Sequence, residues 1–241
     1  MTGARSLLSW SKPVGAALLA LLLWAPAERA AAIEDQVLRY KALYGNINAG
    51  RLEVSIHREE AGYRVVSTGK PSALARLFRF NKYTTTTRFV RHRGEVALDS
   101  GTTVGRARGD EFTRSFRFNR THDRIEFSDG EHSAIAPGER FEAAAFPLLL
   151  MLRPVETLEG ARVREVSAWR AREYIYQQPV EEIVETPAGG FSSWKITRRR
   201  ASRPADSVTV WLKQGDNPIP LKIAATRKGR TGTLLLTGTG T

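Results

Sequence analysis

From Val37 onward apolar and polar residues alternate in short runs rich in Val, Ile, Thr, Tyr and Phe, and glycine-containing turns separate the runs. A period of two sends successive side chains to opposite faces, so the pattern predicts antiparallel β-structure with one face on a core. Val37–Tyr44, Gly50–Arg58 and Tyr63–Thr68 make an opening meander around the turns Gly45-Asn46-Ile47-Asn48-Ala49 and Ala61-Gly62. Tyr83–His92, Glu95–Thr103, Glu111–Asn119 and Arg124–Phe127 extend it, with Asp129-Gly130 as a hairpin turn. Strands return over Arg162–Ala168, Arg172–Gln178, Val180–Glu185, Phe191–Arg199, Ser207–Lys213, Leu221–Thr226 and Thr231–Thr237, and Lys228-Gly229 closes the last hairpin.

Two stretches break the alternation. Leu74, Leu77 and Phe78 recur at helical spacing between Pro71 and Phe80, which predicts a short helical turn. Phe141–Leu152 is the second helical candidate, and Pro147 inside it places the helix mainly after Phe146. That helix is apolar nearly all round and belongs in the concave side of a curved sheet. The expected fold is mainly β: a curved antiparallel meander sheet or an open half-barrel with one or two short helices.

Residues 1–32 have the build of a secretory signal, with Arg5 and Lys12 ahead of an apolar run from Val14 to Trp24 and small residues ending at Ala30-Ala31-Ala32. Cleavage near Ala32 leaves Ile33–Thr241 as one β-rich exported domain in the periplasm. The apolar run falls short of the roughly 20 residues a permanent membrane helix needs. Zero cysteines exclude disulfides, thiolate metal sites and thiol nucleophiles. The chain carries +12, and removing the leader's +2 leaves +10 on the domain. Export replaces nucleic acid, the usual partner of such charge, with anionic head groups or other acidic envelope surfaces; a cationic surface serving solubility is the bland alternative.

Candidate chemistry is sparse. His57, His92, His122 and His132 are too scattered for a recognised metal-ligand spacing, so neither a metal nor a cofactor is expected. No Gly-x-Ser-x-Gly elbow or phosphate-cradling Gly-x-x-x-x-Gly-Lys occurs. The carboxylate pairs Glu59-Glu60 and Glu181-Glu182 are adjacent, which sends their side chains to opposite faces of a strand. An enzyme is therefore not expected.

Two sets of residues remain as binding candidates. Trp169, Tyr174, Tyr176, Trp194 and Trp211 fall in the C-terminal strands, where they either fill the core or line a cavity in a curled sheet. Arg198 and Arg200 share a face with Trp194 and Ile196, and Lys213 shares one with Trp211. These three cations either mark strands running out to solvent or form an anion-binding rim beside an apolar interior.

The order of short segments resembles the bacterial exported family known as domain of unknown function 3108. The likeness runs from Tyr40-Lys41-Ala42-Leu43-Tyr44-Gly45-Asn46-Ile47-Asn48-Ala49-Gly50 and Gly62-Tyr63, through Met151-Leu152-Arg153 and Thr186-Pro187-Ala188-Gly189, to Val210-Trp211-Leu212 and Pro220-Leu221-Lys222-Ile223. The family tends to carry a polar Asp and Ser ahead of its helical segment, where this chain has Ala143-Ala144-Ala145. The resemblance implies no activity. The Trp-Leu strand followed by Pro-Leu-Lys-Ile is also loosely similar to the late strands of periplasmic lipoprotein carriers, which implies an open half-barrel around a helix. Two functions follow: a non-enzymatic module binding a lipid-like or other amphiphilic envelope component, or an envelope scaffold docking through its basic surface. An open apolar pocket favours the first and a filled interior the second. Oligomeric state is not readable from the sequence.

Overall fold

The computed structural model describes residues 33–73, 75, 82–107 and 110–241. The leader and the helical turn at Leu74, Leu77 and Phe78 lie outside the described residues. Among the described residues sixteen strands follow in chain order. The first eight are β1 (Gln36–Tyr44), β2 (Ile47–Glu59), β3 (Gly62–Pro71), β4 (Tyr83–His92), β5 (Glu95–Ala107), β6 (Asp110–Asn119), β7 (Arg124–Phe127) and β8 (His132–Ala134). The second eight are β9 (Phe141–Ala143), β10 (Arg162–Ser167), β11 (Arg170–Tyr176), β12 (Val180–Thr186), β13 (Gly189–Arg200), β14 (Arg203–Lys213), β15 (Pro220–Arg227) and β16 (Arg230–Gly240).

They form one sheet in the order β8-β7-β6-β5-β4-β3-β2-β1-β16-β15-β14-β13-β11-β10-β9, with β12 paired to β13 beside this path. The first and last strands of the domain are thus central neighbours, with Tyr40 opposite Leu236. Two glycines make the tight meander feasible. Gly50 has φ of 138° and a Cβ there would lie 2.2 Å from the Lys70 carbonyl; at Gly62, with φ of 154°, it would lie 2.1 Å from the Phe89 carbonyl. The sheet is mixed rather than wholly antiparallel, because β9 runs parallel to β10.

The backbone ladder does not close into a barrel, but side chains bridge the gap between its ends. Arg164 on β10 donates to the Ala134 carbonyl at 2.7 Å and to Ser133 Oγ at 3.2 Å on β8. Phe141 on β9 meets Phe118 on β6 edge-on, with ring centroids 4.8 Å apart.

The short helix expected mainly after Phe146 is a single 3-10 turn, Leu148–Met151, followed by another at Val155–Thr157. Pro147 and Pro154 bracket the first turn and leave no room for a longer run of i to i−4 bonds. Its four apolar residues are all buried, as a segment apolar nearly all round requires. Phe141–Ala143, expected within the same helical stretch, is strand.

Candidate functional site

Inward positions of the sheet are of two kinds. Towards one end Leu38, Ile56, Leu98, Ile125, Leu148 and Leu221 are almost completely buried and form a filled core. Towards the other, where β1, β3, β5, β10, β13 and β15 finish, the interior opens into a cavity of about 1030 Å³. That volume matches the upper end of small-molecule sites, roughly 300–1,000 Å³. Leu52, Val208, Val210, Ile223 and Leu234 give it an aliphatic wall, and Ala143, Ala144 and Ala145 close it at the seam of the sheet.

Aromatic rings line the β4–β6 side because small residues face them. Gly69 lies opposite Tyr83, Gly101 opposite Phe116 and Gly105 opposite Phe112 on neighbouring strands. A Cβ on any of these glycines would meet the facing ring at 3.0 Å or less. The rings therefore lie across the strands, and each strand gives up a side chain to seat one.

The same wall carries hydroxyl groups. Ser67, Thr85 and Thr103 stand directly opposite one another across β3, β4 and β5. Thr85 and Thr103 share a 3.0 Å hydrogen bond, whereas Ser67 Oγ, on a residue only 2% exposed, has no partner among the described residues. A buried hydroxyl without a partner is costly, which makes it a polar contact available to an occupant of the cavity.

A buried ion network underlies the cavity. Arg198, 5% exposed, pairs with Glu142 and, at 2.5 Å, with Glu165, while its guanidinium lies 5.0 Å from the centre of the Tyr174 ring. Tyr176 donates to Glu142 at 2.5 Å, and Arg153 approaches the same carboxylate at 3.8 Å. Burial alone would favour the neutral form of Arg198, but Glu142 and Glu165 outweigh it and raise the guanidinium above its ordinary value. Tyr176 is likewise pushed well up, by burial first and then by the Glu142 charge, so it remains a proton donor.

The mouth is cationic. Lys82, Arg106, Arg170, Arg172 and Arg227 line it, and Arg106 pairs with Glu111 at 2.9 Å. The other four have no ion pair among the described residues. Arg172 is half-buried and its Nε has no hydrogen-bond partner there. Burial, followed by the like charges of Arg170, Arg227 and Arg200, pulls its proton affinity below the ordinary arginine value. Among the described residues Glu165 is the single carboxylate lining the cavity, and Arg198 already neutralises it.

The family model described as protein of unknown function (DUF3108) matches residues 39–237. The chain belongs to this family. Among solved structures it is similar to the "beta-barrel-like protein of domain of unknown function DUF1849" from Brucella abortus. That match has 10% identity, a TM-score of 0.49, and covers 86% of this chain and 97% of the other. It is also similar to the "putative lipoprotein" from Parabacteroides distasonis, at 8% identity and a TM-score of 0.33, covering 86% of this chain and 96% of that one. No curated protein matches significantly.

In this DUF3108 protein the expected site residues separate. Trp169, 45% exposed, stands at the mouth with its ring 5.9 Å from Phe112, and Tyr174 lines the cavity beneath. Tyr176 shares the inner face with Tyr174 but is bonded to Glu142. Trp194 packs partly buried against the core and away from the cavity lining. Trp211 alternates with the cavity-lining Val208 and Val210 and therefore lies on the opposite face. There it is buried, facing Lys195 and Lys222 on the two flanking strands, with their ammonium groups 5.6 and 4.3 Å from its ring centre. The three cations expected at a rim differ as well. Arg198 lines the cavity from within as a buried residue paired with Glu142 and Glu165, Arg200 pairs with Asp206 at 3.6 Å, and Lys213 lies outside the cavity lining. Arg170, Arg172, Arg227 and Ser67 also line the cavity and are not among the residues the sequence pattern singles out.

Proposed function

We propose that this protein is a non-enzymatic, exported binding module that holds an amphiphilic component of the cell envelope in its sheet interior. The observation that carries the reading is the unequal filling of that interior, with a close-packed core at one end and a 1030 Å³ cavity at the other. A scaffold acting only through its basic outer surface has no need of such a cavity, since native interiors otherwise pack to crystal-like density. Aliphatic walls, ring-lined flanks and a polar mouth match the division of an amphiphile into tail and head. Periplasmic localisation rests on the three-part leader sequence. The test is native mass spectrometry of protein isolated from the periplasm, followed by lipid extraction. A mass increment that disappears on delipidation is expected; a chain that always carries its bare sequence mass, and takes up no amphiphile when one is supplied, overturns the proposal.

A further inference from the structure

Arginine clusters on protein surfaces are ordinarily solvated or paired with carboxylates. The group at the cavity mouth is neither fully. Arg170 and Arg172 are two residues apart on β11 and so face the same way, and Arg227 at the end of β15 acts on Arg172 as a like charge. No carboxylate forms an ion pair with any of the three among the described residues. Arg172 is drawn in far enough to leave its Nε both buried and without a partner. Mutual repulsion and desolvation both oppose this arrangement, and a bound anion would relieve both. A second observation is independent of charge: the unpartnered Ser67 hydroxyl is buried in the same cavity lining.

We infer that the ligand is an acidic amphiphile whose carboxylate or phosphate head is held by Arg172, with Arg170 and Arg227 around it, while its hydrocarbon tail lies along the aliphatic wall formed by Val208, Ile223 and Leu234. This inference rests on the proposed amphiphile-binding function and specifies its ligand class. Guanidinium groups suit the task because they stay charged when partly buried and offer paired N–H donors to planar or tetrahedral oxyanions. The Arg198 guanidinium contributes little to the anion, since Glu142 and Glu165 already engage it. The preference for an acidic head therefore belongs to the mouth and not to the buried network.

Isothermal titration of the purified mature chain with dodecyl phosphate, dodecanoate, neutral dodecyl maltoside and inorganic phosphate tests this, each probe kept below its micelle concentration. Both acidic probes should bind roughly tenfold or more tightly than the neutral one, as charge-assisted hydrogen bonds imply. That advantage should shrink with added salt. It should narrow in Arg172→Gln and also in Arg227→Gln, the latter at an exposed position where folding is not at stake. The better of the two acidic probes identifies the head group. Equal binding of acidic and neutral probes overturns the acidic-ligand inference and leaves the amphiphile reading standing. Inorganic phosphate binding as tightly as dodecyl phosphate keeps the anion site but removes the tail, overturning the amphiphile reading. Binding of none of the probes overturns both.

Discussion

Gly101 lies directly opposite Phe116 on the neighbouring strand, and the Phe116 ring comes so close that a Cβ on Gly101 would stand 2.3 Å from its Cε1 atom. Glycine is ordinarily a weak strand residue, so its use here exchanges local propensity for a ring seated close against the strand. Gly101→Ala should therefore destabilise by about 1–3 kcal/mol, the usual cost of overpacking, despite alanine's better backbone entropy. Urea unfolding measures it. Adding Phe116→Leu should recover part of the loss, because the contact and not the backbone is at fault; a single variant as stable as the parent would refute the ring-seat account.

Arg198 is held between two carboxylates that have few other cations to turn to, Arg153 being the nearest to Glu142 at 3.8 Å. Arg198→Met keeps much of the side-chain length and leaves Glu142 and Glu165 buried without their main partner. The expected loss is about 3–5 kcal/mol, as for other broken buried pairs. Replacing all three members together, with Glu142→Gln and Glu165→Gln added, should be markedly less harmful than the single change. Denaturation of the two variants side by side decides the matter, and a single variant no worse than the triple one would contradict it.

Glu126 accepts hydrogen bonds from Asn119 at 2.8 Å, from Arg124 at 2.8 and 2.9 Å, and from Arg117 at 3.2 Å. Asn119 first, then the two arginines, lower its pKa from 4.5 to about 2. A depressed folded-state pKa means stability that is present above the unfolded value and is lost as the pH falls through the folded one. Glu126→Gln should thus be less stable than the parent at neutral pH, with the difference closing between pH 4.5 and about 2. Urea midpoints across that range provide the check; a gap that stays constant would show that the carboxylate charge is not involved.

Much of this fold is legible in the alternation of residues, because long strands with one buried face repeat the same signal many times. Tyr83–His92 and Arg124–Phe127 are strands over the very residues the pattern indicates. His132–Ala134 and Phe141–Ala143 are not legible, since three residues carry too little period, and Phe141–Ala143 is further disguised by the apolar run that follows it. The cavity is harder still. Which inward positions remain unfilled depends on how the sheet curls and on β1 meeting β16, neither of which is local. One signal did exist: Arg170 and Arg172 are in phase with Tyr174 and Tyr176, so the spacing that turns two tyrosines inward also turns two cations towards them. Ser67 is in phase with Tyr63 and Val65 in the same way.

Trp211 distinguishes a residue of the fold from a residue of the site. It is 7% exposed and lies on the face opposite Val208 and Val210, which line the cavity. On that outer face Glu182 of β12 binds Lys195 at 2.8 Å, and Lys195 in turn faces Trp211 across the strands. The ammonium groups of Lys195 and Lys222 lie over the indole ring, a pair of cation–π contacts that stabilises the sheet on its outer face. Trp211→Ala should accordingly cost about 3–5 kcal/mol, as buried aromatic truncations do. Its affinity for dodecyl phosphate, measured well below the lowered melting temperature, should match the parent's, whereas Arg172→Gln should show the reverse profile, with binding weakened far more than folding. Loss of binding in a Trp211→Ala protein that melts like the parent would place the ligand on the outer face and overturn the assignment of the cavity.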